Sequence, residues 1–412
     1  MKILSIIFDL DKGGAQRAAQ VFAEAYQQLG HDSRLLVFYD LGVRFEELSG
    51  NIKIWQYLSD KNIDEIKKWM PDVIHIHAHA LKSDDVAGFL NTLPLNQIKV
   101  IEQNVFSTPS AWTKQVDCSF QFSYWAYWLY KLRGGDISRA GIVPNPVRCD
   151  SFTPSNESEV SLFKKKYNIP EDAYVIGRIG QNYIGKWSVV TINVFNNLAK
   201  TNSNIYLVLV NPPANILKAV SKSRYKNRII NIESIIGDKQ LSIAYSAFDV
   251  MLRVAEMGES FGYVLVESIL CGTPVVTLST PWGDNSQCEV VKNGNGGFIA
   301  QTQKGLVKAL NLYINKDVVY DPESARQRMI DDYDYIKVAK KALASLDKGN
   351  NDKQVQSDFI IKILKDTIDK TKILTVLLLR MNCLFCRKLT AYQYHPKTLL
   401  VTLFRKIREI IN

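Results

Sequence analysis

Two glutamates eight residues apart, Glu259 and Glu267, stand in the stretch best suited to chemistry. It reads Glu-Ser-Phe-Gly-Tyr-Val-Leu-Val-Glu-Ser-Ile-Leu-Cys-Gly-Thr-Pro over 259–274. On a helix of about 3.6 residues per turn, that spacing is just over two turns, so both carboxylates can meet one ligand at different depths. A carboxylate accepts hydrogen bonds from two adjacent hydroxyls, which suits a ribose diol or a sugar ring. Val264, Leu265, Ile269 and Leu270 recur at helical spacing, and Gly272 and Pro274 end the helix. Ser260, Phe261 and Gly262 fall at its N-terminus, where N–H groups lack intrahelical partners. That predicts an anion site, which Gly262 lets a ligand approach closely. Arg178 and Lys186 form a second charged pair at a strand-to-helix turn. Arg offers a fork and Lys a point charge, so together they can hold a diphosphate without metal.

The surrounding pattern supplies strands and helices to position these groups. Lys2 to Phe8 is an apolar run predicted as a buried parallel strand, followed by a turn containing Gly13 and Gly14 and a helix from Ala15 to Leu29. His31 to Tyr39 returns as a strand, giving a Rossmann-like opening, although the glycine pair is not Gly-x-Gly-x-x-Gly. Asp9 and Asp11 are assigned to the turn. Asp72 to His79 is a strand bearing His75, His77 and His79 at period 2. Spaced about 7 Å apart, neighbouring histidines are poorly placed to share one ion at about 2.1 Å. Lys99 to Phe106 carries Gln103 and Asn104 at the strand end where open α/β sheets bind ligands. Phe120 to Leu132 is rich in aromatics, readable as packing or as an apolar groove. A polar link spans Cys149 to Glu159, and a second α/β series runs from Tyr174 to a closing helix over Ser324–Leu346.

The Glu-x7-Glu arrangement, with Phe-Gly after the first Glu and Cys-Gly-Thr-Pro-Val-Val after the second, resembles the donor-site signature of retaining, sugar-nucleotide-dependent glycosyltransferases of family 4. The likeness extends to Gly13-Gly14-x-x-Arg17, to Asp72-x-x-His75-x-His77, and to Ile142-Val143-Pro144-Asn145-Pro146-Val147. Gly177-Arg178 and the later turn Val290 to Phe298 match as well. The resemblance implies the GT-B fold, two Rossmann-like domains facing a central cleft. It implies an acceptor domain over 1–150 and a donor domain over 160–346. Gly13 and Gly14 would then face the donor diphosphate and acceptor, and Glu267 would hold the ribose. Glu259 would orient the sugar, while Arg178, Lys186 and the helix end at Phe261 and Gly262 stabilise the leaving diphosphate. Two positions depart from the family pattern. Gln103 and Asn104 stand where many relatives carry a histidine that contacts the donor sugar, and Asn104 is expected to hydrogen-bond a sugar hydroxyl instead. Lys186 comes eight residues after Arg178 rather than five or six, and Trp187 replaces the usual glycine. No metal and no cofactor are expected; the nucleotide sugar is a substrate, and the acceptor is a glycan or lipid-linked molecule of the cell envelope or surface.

The 412 residues allow two domains and an appendage, with the 46% hydrophobic content of an ordinary globular protein. Six sparse cysteines point to reduced thiols in a cytosolic setting, and the isolated Cys383-x-x-Cys386 is weak evidence for zinc. No signal peptide or membrane-spanning run is expected. The net charge of +10 is concentrated in 372–412, where eight Lys and Arg face the single Glu409, so no nucleic-acid surface is implied. Over 373–412, Ile373–Leu379 and Leu399–Phe404 are apolar blocks, each followed by cations. As helices these blocks are suited to an anionic membrane interface, which predicts a basic amphipathic tail over 349–412 and a peripheral place on the inner face of the cell membrane. The competing reading of the tail is packing against the first domain. The rival for the whole chain is a catalytically inactive, membrane-docked GT-B scaffold, which the altered Asn104 position and the long Lys186 loop would fit.

Overall fold

The computed structural model describes residues 1–57, 59–77, 84–281 and 283–346. Within them the chain forms two parallel sheets, each flanked by helices. The first runs through β1 (Lys2–Ile7), β2 (Asp32–Val37), β3 (Lys53–Gln56), β4 (Val73–Ile76), β5 (Lys99–Gln103), β6 (Cys118–Gln121) and β7 (Ala140–Ile142). Its spatial order is β3-β2-β1-β4-β5-β6-β7. The second holds β8 (Tyr174–Ile179), β9 (Ile205–Val210), β10 (Ile229–Ile232), β11 (Val250–Arg253), β12 (Val275–Leu278) and β13 (Gly297–Ala300), in the order β10-β9-β8-β11-β12-β13. The winding reverses between β1 and β4 in one sheet and between β8 and β11 in the other. Such switch points open a crevice at the carboxyl ends of the strands.

The central strands are covered on both faces, which is why they read as unbroken apolar runs. Ile3, Leu4, Ile6 and Ile7 in β1 are all buried, as are Val250, Met251 and Leu252 in β11. The aromatic stretch resolves as packing: Phe120, Phe122, Trp125, Tyr127 and Tyr130 are buried, from β6 into the helix Tyr124–Leu132.

Two expectations about boundaries are corrected. The link expected to be polar contributes Cys149 and Phe152 to the core of the second domain, beside Val266, Leu270 and Met329. The single closing helix over Ser324–Leu346 is two helices, Pro322–Tyr333 and Tyr335–Ala344. Asp334 breaks them, its Oδ1 accepting the N–H groups of Ile336 and Lys337. The strand-like segment at Val147 binds the break, donating to Tyr333 O at 2.8 Å and accepting from Tyr335 N at 3.0 Å. The last helix then leaves the second domain. Val338, Ala339 and Ala342 pack on Ile3, Phe22, Tyr26 and Val73 of the first.

No helix among the described residues is long and apolar enough to cross a membrane. His79, the Cys383–Cys386 pair and the tail over 349–412 lie outside the described residues.

Candidate functional site

The loop after β11 carries Glu259 into the space at the switch point of the second sheet. Two glycines shape it. Gly258 has φ +73, and a Cβ there would strike the carbonyl oxygen of Asp284 at 1.8 Å. Gly262 caps the helix Tyr263–Leu270 in the left-handed conformation, φ +94. Glu259 is anchored through its backbone: its N–H donates to Gln287 Oε1 at 3.1 Å, and its carbonyl accepts from Ser286 N at 3.0 Å. Its carboxylate pairs with Lys186 Nζ at 3.0 Å and with the guanidinium of Arg253. Arg253, the last residue of β11, also donates to the Lys186 carbonyl at 2.6 Å. In the sequence Arg253 reads only as a cation closing an apolar strand.

Arg178 lies behind this group. Its guanidinium is fully buried, donates to the carbonyls of Ile179 and Lys186, and stacks 4.3 Å from the centroid of the Trp187 ring. Burial pushes it down to about 9. Arg178, expected at the diphosphate, here braces the turn that carries Lys186. Trp187 explains the departure from glycine. Its buried indole donates to Gln181 O at 2.8 Å and closes the longer loop over Arg178. Of the two cations, Lys186 is the one whose side chain keeps some exposure.

The helix itself is wired separately. Glu267 is buried, its Oε2 accepting from Tyr245 Oη at 2.8 Å and its Oε1 from Arg17 Nη1 at 2.7 Å. Arg17 comes from the first domain, in the helix Gly14–Gln28. Its Nη2 lies 3.3 Å from Asp238, and its guanidinium sits 5.3 Å from the ring centroids of both Phe152 and Tyr263. Burial raises the Glu267 pKa, opposed by the Arg17 charge and the Tyr245 hydroxyl. Gly14 is set close to the first residue of the helix, where a Cβ would lie 3.8 Å from the Tyr263 ring. Gly13 is the extended residue before the helix. Asp9 Oδ1 accepts from Asp11 N at 3.1 Å and from Gln16 Nε2 at 2.8 Å, a turn arrangement. Phe261 is a core residue, packed near Phe122 and Tyr333, so only its backbone stands at the helix entrance.

Asn104 faces inward, against the expectation of a sugar contact. Its Nδ2 donates to Thr108 O at 2.8 Å and Glu102 Oε1 at 3.3 Å, and its Oδ1 accepts from Thr108 N at 3.3 Å. It is 5% exposed and holds its own loop. Glu102 lies two residues back on β5 and Thr108 on the following loop, while Ser119 Oγ on β6 is 3.4 Å from the same Nδ2. His75 and His77 are buried too, with ring centroids 4.0 Å apart, and His75 Nδ1 meets Tyr26 Oη at 2.9 Å. Among the described residues no group of three or more His, Cys, Asp or Glu could hold a metal ion.

Residues 160–332 match the family model described as glycosyl transferases group 1. A D-inositol 3-phosphate glycosyltransferase of Xylanimonas cellulosilytica is 27% identical over 161 residues, 37% of each chain, so the match spans little more than a third of that relative. The Anabaena protein Alr3699/HepE, solved with UDP and glucose, superposes with a TM-score of 0.69 at 15% identity, covering 84% of this chain and 100% of that one. The lipopolysaccharide outer core galactosyltransferase WaaB in its apo form gives 0.62 at 16% identity, with 84% and 99% covered. Fold and matched segment together define the class, a two-domain chain of GT-B architecture. Its second domain carries the match to the glycosyl transferases group 1 model.

Proposed function

We propose that the chain is a retaining glycosyltransferase, moving a sugar from a nucleotide-sugar donor to a glycan or lipid-linked acceptor in cell-envelope or surface polysaccharide biosynthesis. The observation that carries this is the Glu259–Lys186 pair at the switch point of the matched domain, with Glu267 midway along the helix that follows. Glu267 takes the ribose diol. Lys186 and the free N–H groups at the entrance of the helix Tyr263–Leu270 take the diphosphate, with Gly13 and Gly14 facing it from the first domain. Arg253 and Arg178 fix the Lys186 turn from behind. Glu259, released from Lys186, accepts hydroxyls of the donor sugar and orients its ring.

In the reaction the bond between the anomeric carbon and the diphosphate oxygen breaks as the acceptor oxygen bonds to that carbon from the same face. The acceptor proton passes to the departing phosphate oxygen. Negative charge grows on that oxygen, where Lys186 and the helix N–H groups stabilise the transition state more than the bound donor. These groups supply the charge that the step requires, so the reading involves no metal and no cofactor. The UDP bound to the Anabaena neighbour makes a uridine donor the first to test. The basic stretch over 373–412 is read as a contact with an anionic membrane, which would hold the enzyme on the cytoplasmic face near a lipid-linked acceptor.

A thermal-shift screen of UDP, GDP and ADP sugars, followed by hydrolysis of the best binder without acceptor, tests the reading. One nucleotide sugar should raise the melting temperature by mass action and be slowly hydrolysed. Binding with neither hydrolysis nor transfer to any acceptor supplied would favour the inactive scaffold.

A further inference from the structure

Resting on the reading of Glu267 as the ribose carboxylate, we infer that Arg17 is a gate contributed by the first domain, and that the nucleotide must displace its guanidinium from Glu267 to bind. Both Glu267 oxygens are engaged, Oε2 by Tyr245 within the domain and Oε1 by Arg17 from 250 residues away. Only the Arg17 contact crosses between domains, so it is the one a domain movement can release.

The geometry gives Arg17 a place to retreat. Nη2 already reaches Asp238 at 3.3 and 3.4 Å, and Asp238 is half-exposed where Glu267 is buried. Sliding between Phe152 and Tyr263, the guanidinium can exchange one carboxylate for the other without facing water uncompensated. Arg44 lies near enough to disfavour a second cation there, which adds to the push when Glu267 is taken by hydroxyls. Arg17 also sits in the first turn of its helix, its N–H donating to Gly13 O at 3.0 Å. A gate that is closed most of the time lowers apparent affinity by the fraction of open molecules.

The test measures UDP binding to the full chain by stopped flow and calorimetry for wild type, R17M, R17K and E267Q. Methionine keeps the stem that fills the space beside the two rings and removes the charge. R17M should bind UDP about fivefold more tightly, the factor for roughly 1 kcal/mol of lost competition, with the gain in the association rate and the dissociation rate unchanged. R17K should fall between, since an ammonium lacks the fork that spans Glu267 and Asp238. It also serves if R17M does not fold. Equal affinity for all Arg17 variants overturns the gate, as does weaker binding with faster dissociation, which would make Arg17 a nucleotide ligand. If E267Q binds UDP as wild type does, the reading of Glu267 fails instead, whatever the Arg17 variants show.

Discussion

Each domain buries a glutamate near the carboxyl end of its sheet, and the two are wired in opposite ways. Glu102 on β5 is 2% exposed and Glu259 after β11 is 5% exposed, so burial does not separate them. Their partners do. Glu102 accepts from Ser119 Oγ at 2.6 Å, Trp112 Nε1 at 2.7 Å, Ser110 Oγ at 2.9 Å and Asn104 Nδ2 at 3.3 Å, all neutral donors of its own domain. Burial raises its pKa and those donors oppose the rise. Glu259 faces two cations, and one of them, Lys186, hangs on a flexible stem with part of its side chain in solvent. Neutral donors fixed by a loop make an anchor. A mobile cation makes a position that a substrate can enter by exchange. The charge and freedom of the partners, more than burial, mark a buried acid as functional.

The comparison breaks most visibly in stability. Removing the Glu102 carboxylate leaves four donors without their acceptor, each costing about 1–3 kcal/mol when unsatisfied. E102A should lose about 3 kcal/mol or more of unfolding free energy in urea, while the folded fraction binds UDP as before. A loss below about 1 kcal/mol would show that water or relaxation replaces the carboxylate, and that Glu102 is no anchor.

Next in size is activity. K186M should change stability by less than about 1 kcal/mol, because its pair with Glu259 is partly solvated. It should lower kcat/KM by roughly 10–150-fold, the factor for a charge-assisted contact of about 1.5–3 kcal/mol. E259Q should lower kcat by a similar factor and alter UDP affinity little, since its oxygens serve the sugar. Steady-state kinetics on the donor found by the thermal screen checks both. If E259Q weakens UDP and spares turnover, Glu259 is a nucleotide residue and its contrast with Glu267 is lost.

The same contrast explains what the sequence could show. The strands were legible because parallel strands covered on both faces read as apolar runs, as with β1 and β11. The helix with its two glutamates was legible because its anchors recur at helical spacing and two glycines punctuate it. Side-chain partners were not legible. Asn104 reads as facing a sugar because nothing in its segment says that the Thr108 backbone, with Ser119 alongside on β6, holds its amide inward. Arg178 reads as a diphosphate contact because nothing local says that two carbonyls and Trp187 occupy it. Arg17 belongs to a motif of the first domain, yet its meeting with Glu267 spans two domains. The break at Asp334 was hidden because apolar periodicity continues through it, and only the bond to Val147 shows the crossing.

Acid sharpens the contrast on the side of the first domain. His75 and His77 are buried there with no carboxylate in contact, and burial holds both below the ordinary range, His77 at about 3. The unfolded chain, with histidines near 6.5, binds more protons below that pH than the native state does. Stability therefore falls as pH drops from about 6.5 toward about 3, by up to about 1.4 kcal/mol per pH unit for each histidine. Urea unfolding at pH 7.5 and 5.5 measures the slope. H77F should flatten it by about one proton, and an unchanged slope would assign the acid sensitivity elsewhere.

The smallest expected effect lies at the seam, where a third buried glutamate mixes the two kinds of wiring. Glu289 belongs to the second domain, yet its carboxylate accepts Tyr124 N at 3.0 Å and Trp125 N at 2.7 Å, the first N–H groups of a helix in the first domain. Ser123 Oγ meets Ser286 Oγ at 2.7 Å beside it, and the Trp125 indole donates to Gly283 O at 3.0 Å. The donors are neutral, as for Glu102, but domain separation can withdraw them, as exchange can withdraw Lys186 from Glu259. Burial pushes Glu289 up to about 7, opposed by the two N–H groups, Ser123 and the charge of Lys292. When the domains part, the carboxyl returns to water and to a value near 4.5. Docking therefore takes up a proton between about pH 4.5 and 7, so acid favours the docked form and raising the pH through 7 weakens it. This sign is opposite to that of the histidines. In small-angle scattering the radius of gyration should rise slightly from pH 5.5 to 8 in wild type and stay at the compact value in E289Q, whose amide carries no charge to bury. A pH response that survives E289Q would place the titrating group elsewhere and return Glu289 to the class of fixed anchors.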